Sequence, residues 1–133
     1  MNDNKWNVLL VDHDQNNIDD MTSLLIAQGL NPLVAHDVEQ AMEIIRDHNI
    51  NIIVTVAIMP GVTGLELSRN LEAKYPIVLI TGNEDTKVIP FDSTIKAWCS
   101  CVLAREDIQR LPDACFKALE RHEWDGALNK MIS

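Results

Sequence analysis

Five short apolar runs, each followed by a segment whose apolar residues recur at helical spacing, constrain the fold of this chain most strongly. Continuous apolar runs of this length are typical of strands that are covered on both faces of a parallel sheet. Strands that alternate with helices predict right-handed crossover connections between parallel strands. The predicted strands are 8–11, 32–35, 50–56, 77–80 and 98–103.

Residues with special backbone preferences predict where the helices begin and end. Gly29 should end the first helix, and Asp37 should cap the second, with Gln40 placed to reach back toward the cap. Pro90 predicts a short, kinked or partly unwound helix near 85–96. Other helices are predicted near 64–74 and from after residue 107 to about 128. The predicted buried stripe of the second helix is Val38, Ala41, Met42 and Ile45.

These elements together predict an α/β fold, a flavodoxin-like, doubly wound, five-stranded parallel sheet. In such a sheet, functional side chains lie beyond the carboxyl ends of the strands. By length, residues 1–133 form one domain. Its core is expected at about 6–124, and 125–133 should form a helical tail that could lead to an output domain.

Charge and hydropathy exclude several classes of function. The formal net charge of −9 argues against direct contact with nucleic acid, because phosphate binding needs a basic face. No apolar run approaches the ~20 residues that span a bilayer, and no secretory signal pattern is visible. We therefore expect a cytoplasmic protein that does not bind membranes.

The three cysteines, Cys99, Cys101 and Cys115, show no metal-ligand spacing. Buried structural thiols in a reducing compartment are the favoured interpretation. A redox pair of Cys99 and Cys101 is the alternative, although a Cys-x-Cys on a strand lacks the helix N-terminus that activates redox thiols. No pattern of hydrolase or redox residues is present, and we predict that the domain is not an enzyme.

The residues at the predicted strand ends carry the clearest motifs. Val11-Asp12-His13-Asp14 follows the first strand, and Thr81-Gly82 ends the fourth. The third strand ends at Val56 and is followed by Met59-Pro60-Gly61 and Gly64. These motifs and their spacing resemble a response-regulator receiver domain of two-component signalling. The resemblance implies a (βα)5 architecture over residues 7 to about 124.

The resemblance also implies what a working phosphorylation site needs. In the family, two adjacent acids and a phosphorylated aspartate hold Mg²⁺, and a Thr or Ser contacts the phosphoryl group. Asp12 matches the first acid and Thr81 the hydroxyl, whereas His13 replaces the second acid. Val56 stands where the family has its phosphorylated aspartate. The chain therefore resembles a degenerate receiver that lacks its phosphoacceptor.

The fifth strand departs from the family as well. The family lysine corresponds to Ala104 or to Arg105, depending on register, and no proline follows. The aromatic switch residue corresponds to Cys101 or Val102. We expect no cofactor and weak or lost Mg²⁺ binding, because magnesium prefers oxygen ligands over imidazole. Asp12 and Asp14 remain weak candidates as metal ligands, and Asp14 is also a candidate helix cap.

The predicted function is phosphorylation-independent regulation by protein–protein interaction. The interaction surface is expected within about 86–124, with Cys101 and Trp124 as candidates, and the partner is an adjoining output domain or a second copy of the chain. Val56 is expected to pack the floor of the former pocket. His13 is interpreted as a polar loop residue, with pH sensing as its alternative. Two other functions stay open: phosphorylation of Asp12 or Asp14 with a divalent ion, and small-ligand sensing in the emptied pocket.

Overall fold

The computed structural model describes residues 6–56, 74–82 and 101–132, with 122–132 described as helical backbone. Within these ranges, strands and helices alternate as predicted. The strands are β1 (Asn7–Val11), β2 (Asn31–Ala35), β3 (Ile52–Val56), β4 (Ile77–Thr81) and β5 (Cys101–Ala104). The helices are α1 (Gln15–Ala27), α2 (Val38–Asp47) and α3 (Leu111–Ile132), and a 3₁₀ segment covers Arg105–Arg110.

The five strands form one parallel sheet in the order β2-β1-β3-β4-β5. Every residue of β3 and β4 is buried, which explains their unbroken apolar runs. The chain leaves β1 toward β2 on one side and then crosses back to β3 on the other. This reversal of direction places a crevice beyond the carboxyl ends of β1 and β3. The predicted flavodoxin-like α/β fold is confirmed.

The predicted helix boundaries of the first half of the chain are also confirmed. Gly29 has a φ of 81°, a conformation that glycine adopts without steric cost. Asp37 caps α2 by accepting the Gln40 amide at 2.8 Å. The Gln40 side chain reaches back, as predicted, but it accepts the His36 amide rather than the amide of the cap residue.

Two sequence-based expectations need correction, and a third lies partly outside the described residues. Met42 is 43% exposed and not part of the buried stripe of α2, because it lies about 100° around the helix from the buried Ala41. The fifth strand runs over Cys101–Ala104, and the predicted positions 98–100 lie outside the described residues. The last helix begins at Leu111, so Pro112 falls in its first turn, where a missing N–H is tolerated. The predicted helices at 64–74 and 85–96 lie outside the described residues, apart from position 74.

Asparagines connect the amino ends of three strands, an arrangement that sequence analysis missed. The Asn7 side chain donates to the Asn49 carbonyl at 2.7 Å and accepts from the Asn31 side chain at 2.9 Å. The Asn7 amide donates to the side chain of Asn51 at 2.8 Å. These bonds fix the starts of β1 and β2 relative to the segment before β3. Among the described residues, no helix is long and apolar enough to cross a membrane.

Candidate functional site

The predicted site residues meet at the carboxyl edge of the sheet. Asp12 directly follows β1, while Val56, Thr81 and Ala104 are the last residues of β3, β4 and β5. The register pairs Val11 with Thr55, so Asp12 and Val56 are the next residues on neighbouring strands. The sheet therefore brings four of the predicted side chains to one edge.

Asp12 is fully buried at this edge, with 0% of its surface exposed. Its backbone amide donates to the Ala35 carbonyl at 3.1 Å, and its Oδ1 accepts the Asp14 amide at 3.0 Å. Its Oδ2 is buried and has no hydrogen-bond partner within the described part of the chain. A buried oxygen without a partner costs free energy, so burial of the Asp12 carboxylate lowers the stability of the fold at this edge.

The two residues after Asp12 differ in their contacts. The half-exposed His13 ring places Nδ1 3.6 Å from Asp12 Oδ1, which is too long for a hydrogen bond. Asp14 caps α1, since its Oδ1 accepts from the amides of Asn16 and Asn17 at 2.9 and 3.4 Å. The cap interpretation of Asp14 is confirmed, and its carboxylate is directed to the helix start.

Val56 and Thr81 are buried at the ends of β3 and β4. Val56 is 3% exposed and places only carbon atoms at the end of β3. Its carbonyl accepts the buried Thr55 hydroxyl at 3.1 Å, a bond that sequence analysis did not anticipate. The Val56 side chain can therefore serve neither as a nucleophile nor as a ligand for a cation.

The pairing of β5 with β4 shows which of the two candidates, Ala104 or Arg105, lies opposite Thr81. Ala104 lies opposite Thr81, and Cys101 lies opposite Val78. Arg105 comes one residue after the strand, at the start of the 3₁₀ segment. A methyl group, rather than an ammonium, thus stands beside Thr81.

The surroundings of the two described cysteines disfavour the thiolate form of their side chains. Burial, with a smaller contribution from Cys101, raises the pKa of Cys115 to about 12. Partial burial raises the pKa of Cys101, and the nearby Lys117 ammonium opposes the rise. Because the thiolate is the reactive form, both positions behave as structural thiols at neutral pH. Cys99 and the Trp124 side chain lie outside the described residues.

Comparison with known proteins identifies the family. The family model of the response regulator receiver domain matches residues 8–97. The chain belongs to this family. Transcriptional regulatory protein CpxR of Escherichia coli (strain K12) is 31% identical over 86 residues, which are 62% of this chain and 37% of CpxR. The chain thus spans little more than a third of the length of this relative.

Solved structures support the same fold over more of the chain. The signal receiver domain of an HD domain-containing protein from Pseudomonas fluorescens Pf-5 has a TM-score of 0.80 at 21% identity, covering 96% of both chains. NtrX from Brucella abortus has a TM-score of 0.83 at 20% identity, covering 96% of this chain and 30% of NtrX. β5 and α3 follow the family match, yet they complete the receiver sheet and its final helix.

The residues at this edge do not fit the Mg²⁺ site of the family. Magnesium requires oxygen ligands in near-octahedral geometry. Asp12 offers one buried oxygen, Asp14 is engaged as a cap, and His13 and Val56 supply imidazole and carbon. In the described ranges, no group of three or more His, Cys, Asp or Glu side chains is arranged to hold a metal ion.

One further side chain at this edge was missed. His36 directly follows β2, and the carbonyl of its neighbour Ala35 accepts the Asp12 amide. The signal in the sequence was positional: His36 follows a strand at the edge where the other site residues gather.

Proposed function

We propose that this receiver domain acts without phosphorylation, as a protein–protein interaction module of a two-component regulator. The observation that carries the proposal is the buried, apolar Val56 at the end of β3, beside Asp12. A valine side chain has no oxygen that could accept a phosphoryl group. It also removes one of the carboxylates that a divalent cation needs at this edge, and we expect Mg²⁺ binding to be weak or lost.

The neighbouring acids are poor substitutes for the missing acceptor. Asp12 is inaccessible to a phosphodonor, because none of its surface is exposed. Asp14 already accepts two backbone amides as the cap of α1, and a phosphorylated side chain would lose them. Ala104 supplies no positive charge beside Thr81 to stabilise a transferring phosphoryl group. These contacts favour the phosphorylation-independent function over phosphorylation of an unusual acceptor.

We place the interaction surface on β5 and α3, and call it the β5–α3 face; it includes Cys101, Phe116 and Lys117. Cys101 is half-buried on β5, and the Lys117 ammonium of α3 is close enough to affect its pKa. Phe116 is 40% exposed on α3, next to Lys117. A large apolar side chain at the centre of such a face is a typical anchor for a partner. Phe116 therefore joins Cys101 and Trp124 as a candidate contact.

The partner we propose is an adjoining output domain or a second copy of the chain. The relatives support an output domain, since CpxR is named a transcriptional regulator and the match covers 37% of it. A cyclic di-GMP phosphodiesterase from Thermotoga maritima is 27% identical over 85 residues, which are 23% of that protein. Related segments thus occur in longer proteins with different outputs.

Phosphorylation is tested by incubating the chain with acetyl phosphate and Mg²⁺, followed by intact-mass measurement. We expect no phosphate adduct, whereas a phosphorylatable receiver treated in parallel gains one. A stable adduct that disappears in the Asp12→Asn or the Asp14→Asn variant would contradict the proposal and establish an unusual acceptor.

The interaction surface is tested with Phe116→Glu and a matched control, Met42→Glu. Both residues are large, apolar and similarly exposed, but Met42 lies on α2. We expect Phe116→Glu to weaken self-association or binding to the output domain at least ~10-fold, the effect of losing an interface anchor. Sedimentation velocity of the full regulator measures this effect. Equal weakening by Met42→Glu would show that the β5–α3 face is not the contact.

Small-ligand sensing is less well supported. Asp12, Val56 and Thr81 are all buried, so the edge they form presents little surface to a ligand. A ligand that binds the native state raises its melting temperature, and a thermal-shift screen would detect it.

A further inference from the structure

His36 lies at the same edge as the degenerate site, between the starts of two helices. Its exposed ring places Nε2 3.3 Å from Gln15 Oε1 on α1 and Nδ1 3.2 Å from Gln40 Oε1 on α2. The preceding residue, Ala35, accepts the Asp12 amide at 3.1 Å. The ring therefore bridges α1 and α2 one residue away from the backbone that holds Asp12.

The orientation of both glutamine side chains is fixed by other bonds. Gln15 Nε2 donates to Asp19 Oδ1 at 2.8 Å, so its Oε1 must point to the ring. Gln40 Oε1 accepts the His36 backbone amide at 2.8 Å, so its oxygen also stays beside the ring. Reversing either amide would break one of these bonds. Both ring nitrogens of His36 consequently face an oxygen acceptor.

The protonation state of the ring decides whether both contacts are hydrogen bonds. A neutral imidazole has one N–H, so one of its nitrogens would direct a lone pair at an oxygen. A protonated imidazolium donates from both nitrogens. We propose that His36 is a proton-operated clasp, in which the protonated ring ties α1 to α2 beside the degenerate site and the neutral ring releases one helix. This inference is independent of the proposed function.

The charged groups on the surrounding elements are not the partners of the ring nitrogens. The titratable and charged side chains on the surrounding elements are Asp12 and His13 after β1, Asp14, Asp19 and Asp20 at α1, and Asp37, Glu39, Glu43, Arg46 and Asp47 at α2. In the described part of the chain, no carboxylate lies within 4.0 Å of the His36 ring nitrogens. The positive ends of α1 and α2 oppose a cation, and the capping carboxylates of Asp14 and Asp37 offset them. The two amide oxygens are the groups in direct contact.

The clasp predicts different numbers of hydrogen bonds for the two forms of the ring. Histidine side chains generally change their charge between about pH 5 and 8. The folded chain offers two oxygen acceptors to the ring, and the unfolded chain does not hold them in place. The protonated ring can therefore make one more hydrogen bond in the folded chain than the neutral ring can.

The test compares the melting temperature of the whole chain at pH 6 and pH 8 with that of His36→Asn. Acidification also reduces the self-repulsion of a chain of net charge −9, so the comparison between proteins is what matters. We expect the gain in melting temperature at pH 6 to be smaller by about 3 °C in His36→Asn. An equal gain in wild type and His36→Asn would overturn the clasp.

A second measurement uses the wild-type protein and does not depend on any variant folding. In NMR spectra, the side-chain amide signals of Gln15 and Gln40 should shift with pH in step with the ring signals of His36. Gln15→Met, which keeps the side-chain length but removes the acceptor, should abolish the coupling to α1. Glutamine signals that stay constant while the His36 ring titrates would also overturn the proposal.

Discussion

The two ends of the sheet differ in how completely their polar groups are hydrogen-bonded. At the amino end, Asn7 bonds through its side chain and backbone to neighbouring segments. At the carboxyl end, Asp12 is more deeply buried and leaves one oxygen without a partner in the described structure. The hydrogen bonds at the amino end connect neighbouring segments to one another. The carboxyl end holds a buried carboxylate, one oxygen of which has no partner among the described residues.

This difference is consistent with the proposed function. Polar groups that serve only stability are normally satisfied, because an unpartnered buried group is costly. A buried carboxylate oxygen without a partner among the described residues, at the crevice where ligands of doubly wound sheets bind, fits the proposal of a receiver that acts without phosphorylation. Val56 and Ala104, both apolar at the same edge, are consistent with the same proposal.

The largest expected effect comes from restoring a charge at the carboxyl end. Val56→Asp would place a second carboxylate next to the buried Asp12, with no positive charge from Ala104. We expect the free energy of unfolding to fall by about 3–5 kcal/mol, as for other uncompensated buried charges. Urea denaturation in EDTA measures this loss.

Val56→Asn is the control, because it has nearly the same shape as the aspartate without its charge. Its loss of stability should be clearly smaller. If Val56→Asp were as stable as the wild type, the carboxyl end would be more open to solvent than its buried residues indicate.

The next effect concerns the amino end. Asn7→Ala removes two side-chain hydrogen bonds, to the Asn49 carbonyl and from Asn31. We expect a loss of about 1–2 kcal/mol, given the net value of partly exposed hydrogen bonds. Thermal or urea unfolding would measure it. Asn49→Ala is the matched control and should change little, since Asn49 accepts through its backbone carbonyl. Equal losses in the two variants would mean that the asparagine connections are not what stabilises this end.

The smallest expected effect is an increase, rather than a decrease, in the free energy of unfolding. Asp12→Asn keeps an oxygen to accept the Asp14 amide and removes the buried negative charge. We expect stabilisation by about 1 kcal/mol, because an unpartnered amide nitrogen costs less to bury than an unpartnered carboxylate oxygen. Asp12→Ala should instead destabilise, since it leaves the Asp14 amide without its acceptor. A destabilised Asp12→Asn would indicate that the carboxylate holds a cation or a donor in solution.

The sequence predicted the fold well where local chemistry is decisive. β1, β2 and β4 begin within one residue of their predicted starts, because strands buried on both faces form unbroken apolar runs. The Asp37 cap and the Gly29 stop were also predictable from local preferences. Met42 was assigned wrongly, because neighbouring residues on a helix differ by 100° and only packing shows which face is covered.

The sequence alone determined the chemical identity of the site residues. The side chain of a valine at position 56 offers no oxygen in any fold, and a histidine at position 13 is not a carboxylate. Tertiary structure alone decided the burial and partners of these side chains: the unpartnered Oδ2 of Asp12, the pairing of Ala104 with Thr81, and the place of His36 between Gln15 and Gln40. Sheet register and contacts between distant segments set these features, and no local pattern in the chain encodes them.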